Sequence, residues 1–455
     1  MAIIERPDMP RSFLNIPGAN PYNFCLMFIT LNCLVDREKS DVFRLPIPLK
    51  FFCLMYFILF FTTFLRMYFD MGTWYELMDR LNAPHPSNPS LIVDYLLDPL
   101  KFTVPGLLLL YGTKTADSGR FALFAVIAMG LILAVQVVRV MMPGLMGADD
   151  LASRALRVLD RDIGYHRVGI STVLAMITSG VFGLFVVLKK KSERMIALFS
   201  FSFLLLALAL TGGRAGLAAC ILTCALIGVF RYRKILIIGP VIGLFLIPVV
   251  PGLQERILEG FTEQSEAPSS VGSSAVDVEG KDLYAITSGR AVVWPVVLSY
   301  FRKSPWFGYG GESMIRAGVT TELFDVLQAQ QHGFSHPHNM YLRVLLDTGV
   351  LGTLIVLCFF IYLISNCYRD FVGTNSSLVT EVGAVAFGMM ISYLLCGVGS
   401  GTFFPETNTV MLWAIMGLYA GIHWSKLGEV RPSYGRAEPL NESKVEIRLW
   451  LKTKP

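Results

Sequence analysis

Charge is scarce in this chain. Only 16% of its 455 residues are Asp, Glu, Lys or Arg, against about 25% in an average soluble domain. That shortage of polar surface excludes a water-soluble enzyme and a disordered chain. The basic excess is also small: 39 Lys and Arg against 34 Asp and Glu give +5, so the footprint of a nucleic-acid-binding protein is missing. Cysteine pairs in polar segments are missing too. Cys25, Cys33, Cys53, Cys220, Cys224, Cys358 and Cys396 lie in apolar stretches and Cys367 just after one. Neither a disulfide framework nor a CxxC zinc site is expected. Met1 to Pro21 is polar and proline-rich, without the apolar core or cleavage pattern of a secretory signal, so an internal span is expected to lead insertion. No period of 20–50 residues recurs. What is present is hydrophobicity, at 54% of the chain. An all-α polytopic membrane protein follows.

A span needs about 20 apolar residues to cross roughly 30 Å of hydrocarbon. The sequence predicts spans over 47–69, 121–142, 167–188, 194–212, 215–230, 234–250, 340–365, 381–399 and 405–424. Residues 22–35 are short enough for a re-entrant hairpin. Asp94, Asp98 and Lys101 leave only the later half of 91–111 reading as buried. Ten to eleven spans result, with no matched pair of interrupted segments of the kind that marks transporters.

Lys and Arg in short loops set orientation. Lys189 to Lys191 with Arg194, then Arg231, Arg233 and Lys234, then Arg369, then Lys426, Arg431 and Arg436 fall on alternate loops. Lys114 and Arg120 put the 112–120 turn on the same side. The expected outward parts are 143–166, the turn Thr211 to Arg214, the polar segment 251–339, and Gly399 to Glu406. The division is then 1–250 transmembrane helices, 251–339 one large periplasmic loop, 340–425 C-terminal transmembrane helices and 426–455 a cytoplasmic tail. Within the loop, Glu263 to Asp282 reads as a mobile Ser/Gly/acid stretch. Ser288 to Ser304 reads as an aromatic-rich helix, and Trp306 to Gly311 as a turn at membrane depth, which Trp and Tyr favour. A loop this long in a polytopic protein is usually functional.

Few side chains carry chemistry. Arg214, in Thr211-Gly212-Gly213-Arg214-Ala215-Gly216, is a fixed positive charge at the outer end of a span. It either snorkels to headgroups or clamps an anion, with glycines allowing close approach. Arg290 lies on the same side of the membrane, and two guanidiniums suit one pyrophosphate. His332, His336 and His338 hold half of the six histidines within seven residues. They read as a metal site with an HxH pair, as a general base at His338, or as the approach to a helix capped by Asn339. Arg343 and Asp347, four apart on one helix face, pair with each other, orient His338 or hold a lipid phosphate. Asp160-Arg161-Asp162 has the form of a metal-binding DxD but reads as a solvated loop, as does Asp149-Asp150. Gly308, Gly310 and Gly311 form a phosphate nest or a plain turn.

In this order, these segments resemble the O-antigen ligase family, which includes O-antigen and exopolysaccharide polymerases. Thr211 to Gly216 is similar to the family's serine/threonine-arginine turn. Ser288 to Trp294 with Ser304 to Gly310 is similar to its SGR and GxG region. His338-Asn339-Met340-Tyr341-Leu342-Arg343, closed by Asp347, Gly349 and Gly352, is similar to its HNxYL signature. Gly213 stands where many relatives have serine, and Asp347 where glutamate is common. The resemblance covers about residues 165–425. It implies a glycosyltransferase C-like bundle of about 10–12 transmembrane helices in the bacterial inner membrane. The implied partners are an undecaprenyl-pyrophosphate-linked glycan and an acceptor glycan or lipid A core, in a lipid bilayer, with no cofactor, metal or nucleic acid. Arg214 and Arg290 would hold the pyrophosphate and His338 would be the base, with Arg343, Tyr341, Asn339 and Gly310 as substrate contacts. In-line attack of the hydroxyl on the anomeric carbon would invert its configuration. Two other classes stand beside this reading: a transporter of an anion or lipid-linked glycan, motivated by Asp94, Lys101 and Arg139, and a zinc-dependent membrane hydrolase built on the histidines. Convergence of Arg214, Arg290 and His338 in space favours catalysis over transport.

Overall fold

The computed structural model describes residues 21–35, 45–113, 115–142, 151–231, 233, 290–326, 336–373 and 377–424. It also describes two short antiparallel pairings, Ser12–Phe13 with Ile16–Pro17 and Asp277–Val278 with Lys281–Asp282. The expected span 234–250, most of the Ser/Gly/acid stretch, Asp149-Asp150, His332 and the tail 426–455 lie outside the described residues.

The protein is an all-α polytopic membrane protein. Seven described helices are long and apolar enough to cross a bilayer: α2 (Ile47–Phe69), α6 (Ala116–Met141), α8 (Arg167–Val187), α9 (Lys191–Leu210), α10 (Arg214–Arg231), α14 (Met340–Val372) and α15 (Ser377–Cys396). Between them lie α1 (Pro21–Val35), α3 (Gly72–Arg80), α4 (Asn88–Ile92), α5 (Asp98–Gly112), α7 (Leu151–Ile163), α11 (Arg290–Lys303), α12 (Ser313–Arg316), α13 (Val319–Val326) and α16 (Val410–Trp424). A π-helical turn, Val93–Leu97, joins α4 to α5, where Asp98 pairs with Lys101 at 2.8 Å. The expected span 405–424 begins as helix only at Val410, because Glu406 and Thr409 cap a short 3₁₀ turn ahead of it.

Helices α8 and α15 form the centre, antiparallel and nearly bare of large side chains at their contact. A Cβ added to Gly183 would lie 2.6 Å from the Ala384 carbonyl oxygen, and one on Gly388 2.5 Å from that of Ser179. Lipid gives helices no hydrophobic drive to associate, so small residues that admit close backbones supply it through packing. The basic loops gather at one end of this bundle. Arg231 donates to the Gly373 carbonyl at 3.1 Å, and Glu381 feels the charges of both Arg120 and Lys190.

One segment read as a loop is helical, and one read as a turn is built into a spanning helix. Residues 151–163 form helix α7, because Leu151, Ala155, Leu159 and Ile163 recur every four residues and are all buried. The Asp160-Arg161-Asp162 run therefore sits on a helix, with Arg161 bonded to Asp162 at 2.7 Å. The second is the turn at Trp306, which is built into α14. That helix has 33 residues, or about 50 Å at 1.5 Å per residue, too long for one crossing. It is broken at Gly349, with φ 66° and ψ −171°. The segment 305–310 closes the gap: Tyr309 and Gly310 amides donate to the Leu346 and Asp347 carbonyls at 2.8 and 2.7 Å, while Val350 and Leu351 donate to Pro305 and Trp306 at 2.8 and 3.3 Å. Broken helices survive at membrane depth only when their freed backbone groups are re-satisfied in this way. No side chain fits at Gly349, since a Cβ would collide with the Trp306 carbonyl. Trp306 and Phe307 remain 61% and 65% exposed, as expected of a turn against lipid headgroups. So one spanning helix is interrupted after all, and Arg343 and Asp347 ride on its short half ahead of the break.

Candidate functional site

At the end of the bundle away from the basic loops, four helices begin close together: α8, α10, α11 and α14. Each first turn leaves backbone N–H groups without intrahelical partners, and the helix dipole puts partial positive charge there.

Helix α9 closes at Thr211, and Gly212 turns the chain with φ +62° so that Arg214 opens α10. The neighbouring glycines serve packing: a Cβ on Gly213 or Gly216 would collide with the Ser171 hydroxyl of α8, which donates to the Gly213 carbonyl at 3.4 Å. They admit another helix.

Arg290 opens α11. Its Nη2 donates to the Gly399 carbonyl at 2.6 Å and its Nε to the His338 carbonyl at 3.3 Å. Four residues on, Trp294 Nε1 donates to the Pro337 carbonyl at 3.1 Å. These bonds hold His338 in the left-handed region, φ +50°, which non-glycine residues rarely occupy. Gly399 is the meeting point. A Cβ there would lie 2.7 Å from Ala215 Cβ and 3.9 Å from Arg290 Nη2. Arg214, one residue before Ala215, is close enough to disfavour Arg290's charge. Arg214, Arg290 and His338, far apart in sequence, therefore converge.

The electrostatics are those of gathered cations. Burial first and Arg214 second push the Arg290 guanidinium below its ordinary range, though an arginine stays protonated. Burial, then Arg290, then His166 lower the His338 imidazole. Burial, then His338, Arg343 and His166 lower His336 to about 3. The His336 and His338 rings stand 4.2 Å apart. Both are neutral at pH 7 and able to accept a proton. Among the described residues, no three His, Cys, Asp or Glu side chains gather as a metal site requires.

The other expected contacts are committed within the protein. Asn339 caps α14, its side chain accepting from the Tyr341 and Leu342 amides at 2.9 and 3.1 Å. The Tyr341 hydroxyl donates to the Leu394 carbonyl at 2.8 Å. Arg343 reaches Glu312 at 3.3 Å and Asp347 at 3.9 Å, and Asp347, 3% exposed, accepts from Ser313. Gly310 has φ +91°. Gly308, Tyr309, Gly310 and Gly311 all donate their amides to protein carbonyls, so this turn offers no nest for a phosphate.

Three features were not singled out in the sequence. His166 caps α8, accepting from the Val168 amide at 3.4 Å, and bears on both other histidines; a lone histidine before an arginine carries no motif. Glu312 and Ser313 reach Arg343 and Asp347 from a short helix no periodicity announces. Beside His166, Tyr165 and Thr407 close one end of an apolar cleft lined by Met129, Leu133, Ile177 and Met411 among others. Its walls come from three helices distant in sequence.

Residues 198–357 match the model of the O-antigen ligase family. No curated protein matches the chain. The matched stretch contains Arg214, Arg290, His338 and the break at Gly349.

Proposed function

We propose that this chain, whose residues 198–357 match the O-antigen ligase family, is a multi-pass membrane glycosyltransferase of polysaccharide assembly that transfers a glycan from undecaprenyl pyrophosphate to a sugar hydroxyl on the periplasmic face. The observation that carries this reading is the meeting of Arg214, Arg290 and His338 where four helices begin, at the end opposite the basic loops. Lys and Arg mark cytoplasmic loops, so the site end faces the periplasm of a bacterial inner membrane.

The acceptor hydroxyl oxygen attacks the anomeric carbon of the donor sugar in line, and its proton passes to the neutral His338 imidazole. The bond from that carbon to the pyrophosphate oxygen breaks, and the leaving undecaprenyl pyrophosphate takes the electron pair. Arg214 and Arg290, with the α10 and α11 N-termini, meet the charge that builds on it. Attack from the opposite face inverts the anomeric centre. The step needs no metal: two guanidiniums and helix N-termini neutralise the leaving group. The apolar cleft between α6, α8 and α16 offers the polyprenyl chain a place beside the site. Between the rival classes, convergence of the three side chains favours catalysis over transport.

The test is reconstitution of the purified protein in lipid nanodiscs with an undecaprenyl-pyrophosphate-linked glycan and candidate acceptors. Transfer that persists in chelator and is lost in His338→Ala and Arg290→Ala supports the reading. Normal transfer by both variants defeats it. In cells, deletion separates the two acceptors: lipid-linked chains accumulate if lipid A core is the acceptor, and single repeat units accumulate if the growing glycan is.

A further inference from the structure

The break in α14 separates a short half-helix, beginning directly after His338 and Asn339, from the long half that crosses the membrane. At Gly349 the helical hydrogen-bond ladder stops. The position of the short half therefore depends on what replaces the ladder, and that is the four backbone bonds to 305–310. The turn is in turn fixed to α2, the neighbouring spanning helix. Arg66 Nη1 donates to the Phe307 carbonyl at 2.6 Å and its Nη2 to the Gly308 carbonyl at 2.8 Å. The Gly311 amide donates to the Thr63 carbonyl at 2.9 Å. Arg316 adds bonds to the carbonyls of Tyr309 and Gly311 at 2.8 and 3.2 Å and pairs with Asp70.

We infer that Arg66 is a positioning residue of the transfer site, acting through the 305–310 turn on the half-helix that carries His338 at its start. This rests on the transferase reading above. Arg66 lies in the last turn of α2, where an arginine would otherwise read as snorkelling to headgroups. Its fork instead spans two successive carbonyls of the turn, a geometry an ammonium cannot reproduce. Both carbonyls belong to the strand of backbone that carries the four bonds across the break. Helix α11, which begins at Arg290, is bound to the same unit: Val293, Val297 and Leu346 share one buried cluster. Loosening Arg66 therefore tilts Arg290 and His338 together against the membrane helices, and so against Arg214 on α10. A misplacement of about 1 Å costs on the order of a hundredfold in rate.

Two readouts test this. The first is steady-state transfer in nanodiscs by wild type, Arg66→Ala and Arg66→Lys. The second, independent of activity, is the distance between spin labels on genetically encoded keto residues at the exposed positions Leu298 of α11 and Leu354 of α14. For Arg66→Ala, kcat is expected to fall about ten- to a hundredfold with donor KM within about twofold, and the distance distribution to broaden. Arg66→Lys should recover part of both. Should Arg66→Ala fail to fold, Arg66→Gln, which keeps one donor group, is held to the same pattern. Wild-type kcat, a change confined to KM, or lost kcat with an unaltered distance distribution overturns the inference while leaving the transferase reading intact. Absence of transfer by wild type, with the distances still responding to Arg66, overturns the transferase reading and with it the role given to Arg66.

Discussion

Two arginine neighbourhoods lie side by side at the site end, and they are built in opposite ways. Arg343 has carboxylates around it: Glu312 at 3.3 Å, Asp347 at 3.9 Å, and Glu406 near enough for its carboxyl to be lowered by the arginine's charge, against a larger upward push from burial. Among the described residues near Arg290 are Arg214 and His338, and it gives two of its N–H groups to backbone carbonyls. A guanidinium among carboxylates is neutralised by the fold and holds it together. Burial first and Arg214 second disfavour the charge on Arg290, and an anion bound between the two guanidiniums would offset both. The i,i+4 spacing of Arg343 and Asp347 already hints at this division in the sequence, and Glu312, distant in sequence, completes it.

The largest effect should come from breaking the compensated neighbourhood. Arg343→Met leaves Asp347 and Glu312 with charge the fold no longer balances, and removing one partner of a buried pair costs about 3–5 kcal/mol. Denaturation of purified protein should show that loss. Stability equal to wild type would mean that Arg343 is held for a ligand after all. Next in size is the cationic side. Arg290→Ala or Arg214→Ala should lower transfer about 10²–10³-fold, roughly the 2.7–4 kcal/mol given by one oxyanion donor, while unfolding stability falls less than in Arg343→Met. A variant that loses stability in step with activity would erase the contrast.

A smaller effect is the pH dependence of stability. His336 titrates near 3 when folded and near 6.5 when unfolded. Its folded value is depressed, so the unfolded chain binds the proton more readily. The contribution is fully present above about 6.5 and is lost as pH falls toward 3, by up to about 1.4 kcal/mol per pH unit. Thermal unfolding at pH 7.5 and 5.5 should show a drop in wild type that His336→Asn reduces. His338 shifts in the same direction, so the acid pH at which transfer halves should lie below about 6.5. A rate with no fall on the acid side that His338 variants alter would argue against His338 as the base.

How much was legible in the sequence follows from the kind of signal each feature leaves. Spanning helices announce themselves by length and apolarity, and α2, α6, α8 and α10 run close to their predicted bounds. The convergence of Arg214, Arg290 and His338 was legible only through the family resemblance, since no local spacing ties residues 76 and 48 apart. The break at Gly349 left one trace, an apolar run longer than a bilayer. The Asn339 cap and the turn at Gly310 were each one of two readings open in the sequence, and the commitment of Tyr341 was not legible, because a cap, a hydroxyl donor and a turn amide look the same whether they meet protein or ligand. Helix α7 was missed for a further reason: its buried stripe is four of its 13 residues, and five of the others are charged.

The smallest expected effect belongs to that helix, and its smallness is informative. Asp160 and Asp162 have the spacing of a metal-binding pair, but Asp162 is bonded to Arg161 on an exposed helical face, and that hydrogen bond from Arg161 holds the Asp162 carboxyl below the usual range. Exposed pairs of this kind contribute little, because water screens them and two flexible side chains must be ordered. Asp160→Asn with Asp162→Asn should leave transfer, its response to chelator and thermal unfolding all at wild-type values. Loss of transfer restored by added divalent cation would move the chemistry onto α7 and away from the converging arginines, and the contrast between the two arginine neighbourhoods would then concern stability alone.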